Sequence, residues 1–254
     1  MKFVCISDVH IKLSGDLPAN LFLKYLKSSQ TKESDTVFLL GDIFDLLVGG
    51  HEEYIEKHQE IFDEIIRLIS EGKRFYHFEG NHDFHFEKLI SALLKRNDLP
   101  REKWVYLKKP LVLDVGGTAT LFAHGDEIEI ENLNYKIYKS FIRSSIIKIL
   151  ANYVVPFRIV DSIGQNASKN SRERNVKSYS SETNEYVRDK FRRSFKTAQK
   201  KYGVKDVICG HSHCLDNYRE DGLYLNNGFF PATRTFTYYD GNNYHQVVID
   251  QPID

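Results

Sequence analysis

The side chains with the clearest chemical potential in this 254-residue chain lie in five short polar motifs, each beside an apolar run. Four motifs directly follow a run typical of a buried strand, and one ends such a run. The motifs are Asp8-Val9-His10, Gly41-Asp42-Ile43-Phe44-Asp45, Gly80-Asn81-His82-Asp83, His124-Gly125-Asp126 and Gly210-His211-Ser212-His213. Loops at the carboxyl ends of strands converge at one edge of an α/β sheet, so these polar groups are expected to surround one point.

Carboxylates and imidazoles dominate the motifs, and this mixture indicates which ions they could hold. It suits Mn, Fe or Zn better than Ca or Mg, and the absence of a cysteine motif argues against a structural zinc site. Two such ions about 3.5–4 Å apart polarise a phosphate group and lower the pKa of a bridging water. Each short string is weak evidence alone, because a lone Asp8 or Asp42 could simply cap the next helix. Together they predict a two-metal hydrolytic site.

The elements that would position these motifs can be predicted from the apolar periodicity. The predicted strands and helices are Phe3 to Ile6, Leu17 to Ser29, Thr36 to Leu40, Tyr54 to Ile69, Phe75 to Phe78 and about Phe86 to Arg96. This alternation of strand and helix predicts parallel strands joined by right-handed crossovers. Short strands joined by turn residues follow Trp104, and the same pattern returns near the C-terminus. We therefore predict an α/β body with two sheets.

The charge distribution sets one segment apart from this body. Lys and Arg total 35 and Asp and Glu total 35, so the formal net charge is zero. Residues 132–205, however, carry 17 basic and 5 acidic side chains (net +12), and the remainder carries 18 and 30 (net −12). Two helices are predicted in this segment, Leu133 to Tyr153 and Glu182 to Tyr202. The predicted organisation is a body of residues 1–131 and 206–254, interrupted by a basic helical cap of residues 132–205.

The predicted cap has an apolar face that is compatible with three roles. Its apolar residues are Phe141, Ile142, Ile146, Ile147, Ile149, Leu150, Tyr153, Val154 and Val155. They could form an ordinary buried helix pair, an acyl-chain groove or a face that lies on an anionic membrane. The basic residues of the second helix form either a solvated face or a surface that attracts polyanions. These residues are Lys190, Arg192, Arg193, Lys196, Lys200 and Lys201.

The cysteines and the N-terminus bear on cellular location. Only Cys5, Cys209 and Cys214 occur, without a CxxC spacing, and this sparse set suits a reducing compartment. The N-terminal apolar run has four residues and is soon followed by Asp8, which is unlike a signal peptide. No stretch reaches the roughly 18 uncharged apolar residues of a membrane span. A cytoplasmic protein is predicted, with peripheral contact at the inner face of the membrane as an option.

In this order, the five motifs resemble the signature of the calcineurin-like metallophosphoesterases, from one end of the body to the other. The resemblance implies a four-layer α/β/β/α sandwich with a dinuclear site, with Mn as the first candidate and Fe or Zn as alternatives. It assigns one metal to Asp8, His10, Asp42 and His213. It assigns the other metal to Asp42, Asn81, His124 and His211, with Asp42 as the bridge. It makes His82 the general acid that protonates the leaving oxygen, and Asp45 the carboxylate that orients His82.

A closer resemblance concerns residues 41–49, Gly-Asp-Ile-Phe-Asp-Leu-Leu-Val-Gly. This stretch is similar to one in the UDP-2,3-diacylglucosamine hydrolases of lipid A synthesis, which carry a helical cap between the same two motifs. Residues 166–169, Asn-Ala-Ser-Lys, resemble their Ala-Asn-Ser-Lys run, which implies that Ser168 and Lys169 bind substrate. Those hydrolases have Arg where this chain has His82. The resemblance implies that the pyrophosphate of a lipid-linked sugar nucleotide is hydrolysed to a lipid monophosphate and UMP.

Other functions are compatible with the same residues. His82 suits a broader range of phosphate esters, which keeps a protein phosphatase, a cyclic-nucleotide phosphodiesterase and a dinucleotide polyphosphate hydrolase as candidates. The +12 segment could attract a nucleic-acid backbone, as in a DNA-processing nuclease, but it shows no basic groove interleaved with aromatic residues. A binding module with an inactive site is disfavoured, because every ligand position keeps a side chain able to bind metal.

Overall fold

Strands and helices alternate along the first part of the chain in the computed structural model, which describes residues 1–130, 132–162 and 181–249. The elements are β1 (Phe3–Ile6), α1 (Leu17–Lys27), α2 (Ser29–Glu33), β2 (Thr36–Leu39), β3 (Leu47–Val48), α3 (Glu53–Lys57), α4 (Gln59–Ser70), β4 (Arg74–Phe78), β5 (Asp83–Phe84) and α5 (Glu87–Arg96). Asp16 caps α1, because its side chain accepts from a first-turn amide at 2.7 Å. The βαβαβ order predicted from the apolar runs is confirmed.

The rest of the described chain consists of short strands interrupted by a group of helices. After a 3₁₀ turn (Arg101–Lys103) come β6 (Trp104–Leu107), β7 (Leu111–Val115), β8 (Thr118–Phe122), α6 (Leu133–Ile142), α7 (Ser145–Ile149), a π-helical turn (Leu150–Val154) and α8 (157–162). Then follow α9 (Ser181–Tyr202), β9 (Asp206–Cys209), β10 (Leu215–Arg219), β11 (Leu223–Asn227), α10 (Phe230–Thr233), β12 (Thr235–Tyr239) and β13 (Tyr244–Val248).

Two predicted helices are interrupted where one residue leaves the helical conformation. The helix predicted from Leu133 to Tyr153 breaks at Ser144, whose backbone is extended and whose side chain accepts from an amide of the next helix. The helix predicted from Tyr54 to Ile69 breaks at His58, which has φ −125° and ψ 32°. Apolar periodicity continues across both breaks, so periodicity alone could not locate them.

Two sheets form the centre of the molecule. The larger has the strand order β13-β12-β1-β2-β4-β6, in which β1, β2, β4 and β6 are parallel. The smaller has the order β10-β11-β9-β8-β7, in which β8, β9 and β11 are parallel. Ile6 lies opposite Leu39, and Leu39 lies opposite His77, so the loops after β1, β2 and β4 leave the sheet at one level. This register brings three of the polar motifs together.

The apolar core fills the space between the sheets and the space outside each of them. Between the sheets, Phe38 and Phe122 stack with ring centroids 4.3 Å apart, and Phe3 meets both edge-on at 5.3 and 5.5 Å. Outside the larger sheet, α1, α4 and α5 bury their apolar faces against it. Outside the smaller sheet, α9 packs Phe191 and Phe195 on β8 and β9. The four-layer α/β/β/α sandwich is confirmed.

Helix α9 forms one of these four layers, and this differs from the predicted division. The charge distribution groups residues 132–205 into one cap, whereas α9 faces the smaller sheet and buries Phe191, Phe195 and Ala198 there. Charge and periodicity could not show this, because an amphipathic helix has the same pattern on a sheet and in a cap. Helices α6, α7 and α8 and the π-helical turn Leu150–Val154 lie outside the four layers and are called the outer helices below.

The outer helices bury one part of their apolar face and expose another. The most exposed large apolar residues are Ile137 at 63%, Phe141 at 64%, Ile146 at 70% and Tyr153 at 73%. A small cluster beneath them joins these helices to the body, and it contains Val48, Phe84, Ile142, Ala151 and Val160. An ordinary buried helix pair therefore accounts for only part of the apolar face. No helix within the described ranges has the length and apolar character needed to cross a bilayer.

Candidate metal centre

The backbone adopts the left-handed conformation at most of the predicted metal ligands. The φ angles lie between 53° and 67° at Asp8, His10, Asp42, His211 and His213. This conformation costs a residue with a Cβ atom about 1–2 kcal/mol, so it persists only where surrounding contacts enforce it. The amides of Val9 and His10 both donate to the Asp42 carbonyl, at 2.9 and 3.0 Å. The loops after β1 and β2 therefore hold each other in the conformation that presents their ligands.

Glycines let the backbone pass close behind two buried carboxylates. A Cβ atom on Gly80 would lie 2.1 Å from Asp42 Oδ1, and one on Gly210 would lie 2.3 Å from Asp8 Oδ2. Any larger residue would displace these carboxylates, because real Cβ contacts are much longer. The close approach also brings amides within reach, and the His211 amide donates to Asp8 Oδ2 at 3.0 Å. The glycines of these two motifs are therefore needed to build the centre.

The two oxygens of Asp42 have different surroundings, and this difference fits a bridging ligand. Oδ1 accepts from the amides of Asn81 and His82 at 2.8 and 2.9 Å. Oδ2 lies 3.6 Å from His124 Nε2 and 3.9 Å from His10 Nε2, which belong to the two predicted ligand sets. One oxygen is therefore fixed by the backbone, and the other faces both sets.

The first ligand set brings donor atoms to the spacing that one ion requires. His10 Nε2 and His213 Nε2 lie 3.3 Å apart, and His213 Nε2 lies 3.3 Å from Asp8 Oδ1. Donor atoms of Asp8, His10 and His213 all lie within 4.8 Å of one another. Ligands bound at about 2.1 Å to one ion are separated by about 3 Å, so these residues fit a divalent metal.

The second ligand set converges in the same way. His124 Nε2 lies 3.2 Å from Asn81 Oδ1, while His124 Nδ1 donates to the Leu40 carbonyl at 2.8 Å. The bond to the carbonyl fixes the ring so that Nε2 is the available donor to a metal. Donor atoms of Asp8, Asp42 and His124 also lie within 4.8 Å of one another. The ring of His211 is 5.0 Å from that of His124, centroid to centroid.

The predicted acid, His82, stands beside the first set. Its ring centroid is 4.8 Å from that of His10, and its Nδ1 lies 3.0 Å from the main-chain carbonyl of Asp45. The resemblance implies that the Asp45 carboxylate orients His82, and this carboxylate lies within 4.8 Å of a ring nitrogen of His82, in addition to the carbonyl contact. The same carboxylate faces His10 Nδ1 at 3.7 Å and Lys12 Nζ at 3.7 Å. Burial alone would lower the pKa of His82, but the carboxylate of Asp42 and the Asp45 carbonyl outweigh burial and the pKa is raised.

The buried carboxylates of the centre are held in their charged form by the imidazoles around them. Burial by itself would raise the pKa of Asp42, yet His124, His82 and His10 outweigh it and the pKa is lowered. Burial likewise opposes ionisation of Asp8, and the hydrogen bond and charge of His213 lower the pKa of that carboxyl below its usual range. The ionised form is the one that binds a cation.

Two further carboxylates from the motifs have supporting contacts. Asp83 is buried and accepts from the amides of Asp42, Ile43 and Gly80 at 2.9, 2.7 and 3.0 Å. It therefore fixes the loop after β2 from below. Asp126 pairs with Lys139 Nζ of α6 at 2.6 Å, so this carboxylate joins the centre to the outer helices.

Several residues near the centre were not found from the sequence. Glu79, Glu127 and Glu129 flank the motifs in sequence, and that adjacency is the one signal that could have revealed them. Arg143 reaches the carboxylates of Glu79, Asp126 and Glu127 at 3.7, 3.6 and 3.3 Å.

Phe229 is also part of the wall of the centre, and no motif identifies it. Its ring centroid lies 5.2 Å from that of His213 and 5.7 Å from that of His10. The predicted substrate-binding residues Ser168 and Lys169 lie outside the described residues. The centre therefore brings together every predicted ligand and His82, and adds neighbours that only the fold reveals.

Comparison with known proteins agrees with this geometry. A model of the calcineurin-like phosphoesterase family matches residues 1–215. The chain is 25% identical over 222 residues to UDP-2,3-diacylglucosamine hydrolase of Photobacterium profundum, covering 85% of this chain and 82% of that protein. It is 26% identical over 215 residues to the protein of the same name from Actinobacillus succinogenes, covering 84% of this chain and 83% of that protein.

Solved structures were compared as well. A novel archaeal phosphodiesterase aligns with 98% of this chain and 100% of its own, at TM-score 0.48 and 15% identity. The protein TT1561 of Thermus thermophilus aligns with 97% of this chain and 98% of its own, at TM-score 0.44 and 8% identity. The family model covers all the candidate ligands. The chain therefore belongs to the calcineurin-like phosphoesterase family and is a metal-dependent phosphoester hydrolase.

Proposed function

We propose that this chain hydrolyses the pyrophosphate of UDP-2,3-diacylglucosamine to a lipid monophosphate and UMP. The observation that carries the proposal is the exposed apolar surface of the outer helices, which ion pairs join to the edge of the metal centre. Lys139 and Arg143 of this region contact Asp126, two residues from the ligand His124. A substrate with a charged pyrophosphate and two acyl chains requires a metal centre and an apolar surface side by side. The names of the two hydrolase relatives support the same substrate.

The proposed cofactors are two divalent ions, with Mn²⁺ as the first choice and Fe²⁺ or Zn²⁺ as alternatives. One ion would be held by Asp8, His10, Asp42 and His213, and the other by Asp42, Asn81, His124 and His211. When bound, such a pair supplies a polarised phosphate and a water of lowered pKa. The protein contributes fixed ligand positions, because the left-handed loops and close glycines leave these side chains little freedom.

His82 is proposed as the group that delivers a proton to the leaving oxygen. Its Nδ1 faces the Asp45 carbonyl, so Nδ1–H donates there and Nε2 is the nitrogen available to substrate. Despite burial, the carboxylate of Asp42 and the carbonyl of Asp45 raise the pKa of His82 above its ordinary value, which favours the protonated form that an acid requires. The proton on Nε2 passes to the bridging oxygen that departs with the lipid monophosphate. Water attacks the phosphorus that remains in UMP, from the side opposite that oxygen, and releases a proton to solvent. Asp45 keeps its proposed role of orienting His82, with its carbonyl 3.0 Å from Nδ1 and its carboxylate within 4.8 Å of a ring nitrogen.

The exposed part of the outer helices is proposed to hold acyl chains and to contact the membrane surface. Ile137, Phe141, Ile146 and Tyr153 provide the apolar area, and the side chain of Lys148 beside them is 45% exposed. Apolar residues with neighbouring cations suit an anionic interface, where each cation contributes about 1 kcal/mol. This interpretation places the enzyme in the cytoplasm, at the inner face of the membrane.

The proposal is tested by incubating the purified, Mn²⁺-loaded protein with UDP-2,3-diacylglucosamine in detergent micelles. We expect UMP and the lipid monophosphate in equal amounts, detected by mass spectrometry, and a lower rate with UDP-N-acetylglucosamine, which lacks the acyl chains. An intact lipid substrate, with rapid cleavage of simple aryl phosphates by the same preparation, would overturn the substrate assignment and leave the phosphoesterase assignment in place.

A second candidate substrate class is favoured by His82. An imidazole acid serves many phosphate esters, including protein phosphates, cyclic nucleotides and dinucleotide polyphosphates. The His82→Arg variant restores the residue of the well-known hydrolases and provides the test. If the lipid sugar nucleotide is the substrate, the variant keeps part of its hydrolysis, because the Arg cation can stabilise the departing phosphate although it cannot donate the proton, and it loses activity on aryl phosphodiesters. Loss of both activities would favour the broader phosphoesterase.

The nuclease alternative receives less support from the fold. Several cations of the +12 segment face carboxylates of the body: Arg192 binds Asp216 with two bonds of 2.9 and 2.8 Å, and Lys196 lies 2.8 Å from Glu220. Cations paired in this way are less available to a phosphate backbone. Salt-sensitive binding of DNA by the purified protein would restore this candidate.

A further inference from the structure

Glu129 contacts one of the candidate metal ligands, although no motif includes it. It lies in the segment after the His124-Gly125-Asp126 motif, is 7% exposed, and places Oε2 3.3 Å from His211 Nε2. The contact joins two loops from neighbouring strands of the smaller sheet. A carboxylate that accepts from one nitrogen of a metal-binding histidine fixes which nitrogen is left for the metal.

Glu129 is itself held by residues from two directions. Lys190 of α9 forms a salt bridge with its Oε1, and Asn132 Nδ2 donates to the same oxygen at 3.1 Å. The Lys190 and Glu129 side chains are only 13% and 8% exposed, so solvent screens the pair little. One oxygen of Glu129 is therefore bound by a cation, and the other is directed at His211.

Helix α9 also supports this contact through its packing. Ser194 Oγ accepts from the Ile130 amide at 3.2 Å, one residue beyond Glu129. The ring of Phe191 lies 6.2 Å from that of His211, centroid to centroid. The same face of the helix that carries Lys190 thus contacts both the segment with Glu129 and the ligand. The helix layer of the smaller sheet reaches the metal centre directly.

We propose that Glu129 is a positioning residue for the second metal, and that Lys190 links the stability of α9 to that metal position. Glu129 accepts the Nε2–H of His211 and thereby leaves Nδ1, without a proton, as the donor to the ion. The inference rests on the proposed assignment of His211 to the second metal. It adds a residue and a helix to the centre that the motifs do not contain.

The experiment measures metal binding by the full-length protein and does not depend on turnover. Metal-free protein is titrated with Mn²⁺ by calorimetry and with Co²⁺ by visible absorption, which reports the geometry of each site. We expect two ions in the natural protein. Glu129→Gln should lower the affinity for one ion by about 10–100-fold and leave the affinity for the other unchanged. Glu129→Asp should restore part of the lost affinity, and Lys190→Met should lower the affinity for the same ion by a smaller factor.

The matched control is Glu220→Gln, which breaks the Lys196–Glu220 pair on the outer part of the same helix. We expect it to leave both ions unchanged. Natural affinity for both ions in the folded Glu129→Gln protein, verified by circular dichroism, would overturn the inference. A loss of both ions equally would also overturn it, because a positioning residue for one ligand acts on one site. Failure to hydrolyse UDP-2,3-diacylglucosamine would overturn the substrate proposal alone, since metal titration is independent of substrate.

Discussion

The metal centre and the outer helices are built by opposite means. At the centre, Asp8 and Asp42 are 0% and 1% exposed, and main-chain amides and glycine contacts fix their carboxylates. The outer helices are short, keep much of their apolar surface in solvent, and meet the body through ion pairs and one small apolar cluster. Metal ligands need fixed distances, whereas the surface that we propose to hold flexible acyl chains needs area and tolerates movement.

The same contrast explains the charge distribution. The body is acidic and the segment 132–205 is basic, but many of these charges face each other across the junction. Lys139 and Arg143 of α6 and its end meet Asp126 and Glu127, and Lys190 meets Glu129. The cations of the segment therefore help to hold α6 and α9 on the body. The zero net charge of the chain is the sum of an acidic body and a basic segment of equal and opposite charge.

The largest expected effect comes from altering the centre without altering its shape. Asp42→Asn keeps Oδ1 as an acceptor for the Asn81 and His82 amides but removes the charge of the bridge. We expect kcat to fall by at least about 10³-fold with little change in thermal stability. Asp63→Asn, on the exposed face of α4, is the control and should retain full activity. Activity of Asp42→Asn within tenfold of that of the natural protein would contradict the proposed role of Asp42 as the ligand shared by both metals.

The next largest effect is expected at the ion pairs that join the outer helices to the body. Arg143→Met removes the Arg cation from the carboxylate of Glu79 and one of two cations from that of Asp126, which keeps Lys139; the two carboxylates are 1% and 0% exposed. Leaving a buried carboxylate such as Glu79 without its cation costs up to about 3–5 kcal/mol, which urea unfolding should detect. Arg96→Met breaks a pair with Glu52 whose side chains are 57% and 63% exposed, so it should cost less than about 1 kcal/mol. If the two variants lose the same free energy of unfolding, the buried ion pairs of Arg143 contribute no more to stability than an exposed surface pair.

A third prediction concerns His58, which is buried in the body beneath the loop after β2. Burial, with a smaller contribution from Lys57, lowers the pKa of His58 to about 3, although Asp161 opposes the shift. The unfolded chain binds a proton below about pH 6.5, while the folded protein does not, so stability falls as pH decreases from 6.5 towards 3.

His58→Phe removes this pH dependence. Between pH 7 and pH 5 we expect the free energy of unfolding to fall about 2 kcal/mol more in the natural protein than in the variant. Urea unfolding at both pH values measures the difference, and the range from pH 7 to pH 8 is the control, where the two proteins should respond alike. Parallel curves down to pH 5 would contradict a neutral, buried imidazole.

The smallest expected effect is the difference in stability between two glycine-to-alanine variants, one at a contact with the outer helices and one away from them. Gly49 and Gly117 have φ angles of 81° and 82°, but a Cβ atom on Gly49 would lie 2.4 Å from the Ala151 carbonyl oxygen, and one on Gly117 would meet nothing within 4 Å. Alanine at either position costs about 1–2 kcal/mol from its backbone. Gly49→Ala should cost about 1 kcal/mol more, because Ala151 must move.

This pair of variants also reports on substrate choice. Displacement of Ala151 should raise KM for the lipid substrate in Gly49→Ala and leave the hydrolysis of aryl phosphates unchanged. Gly117→Ala should change neither activity. If the two variants behave alike in stability and in KM, the outer helices do not depend on this contact.

The candidate ligands could be predicted from the sequence because each is part of a local pattern. Asp8, Asp42 and His211 follow apolar strands directly, and a strand end fixes the edge of the sheet to which its loop belongs. Glu129 and Arg143 have no such pattern, because their partners lie on other elements. The break at Ser144 was also missed, since a capping side chain competes with apolar periodicity that continues past it.

The order of strands and helices, the candidate metal-binding motifs and the separation of charge into two segments can all be predicted from the amino-acid sequence. These features depend on neighbours within a few residues or on composition, and both can be counted along the chain. Three contacts appear only in the folded protein: α9 covers the smaller sheet, Arg143 meets three carboxylates, and Glu129 faces His211. Such contacts join residues far apart in the chain, as His10 and His213 are at a separation of 203 residues. Burial and packing select these partners, and neither is encoded in local sequence.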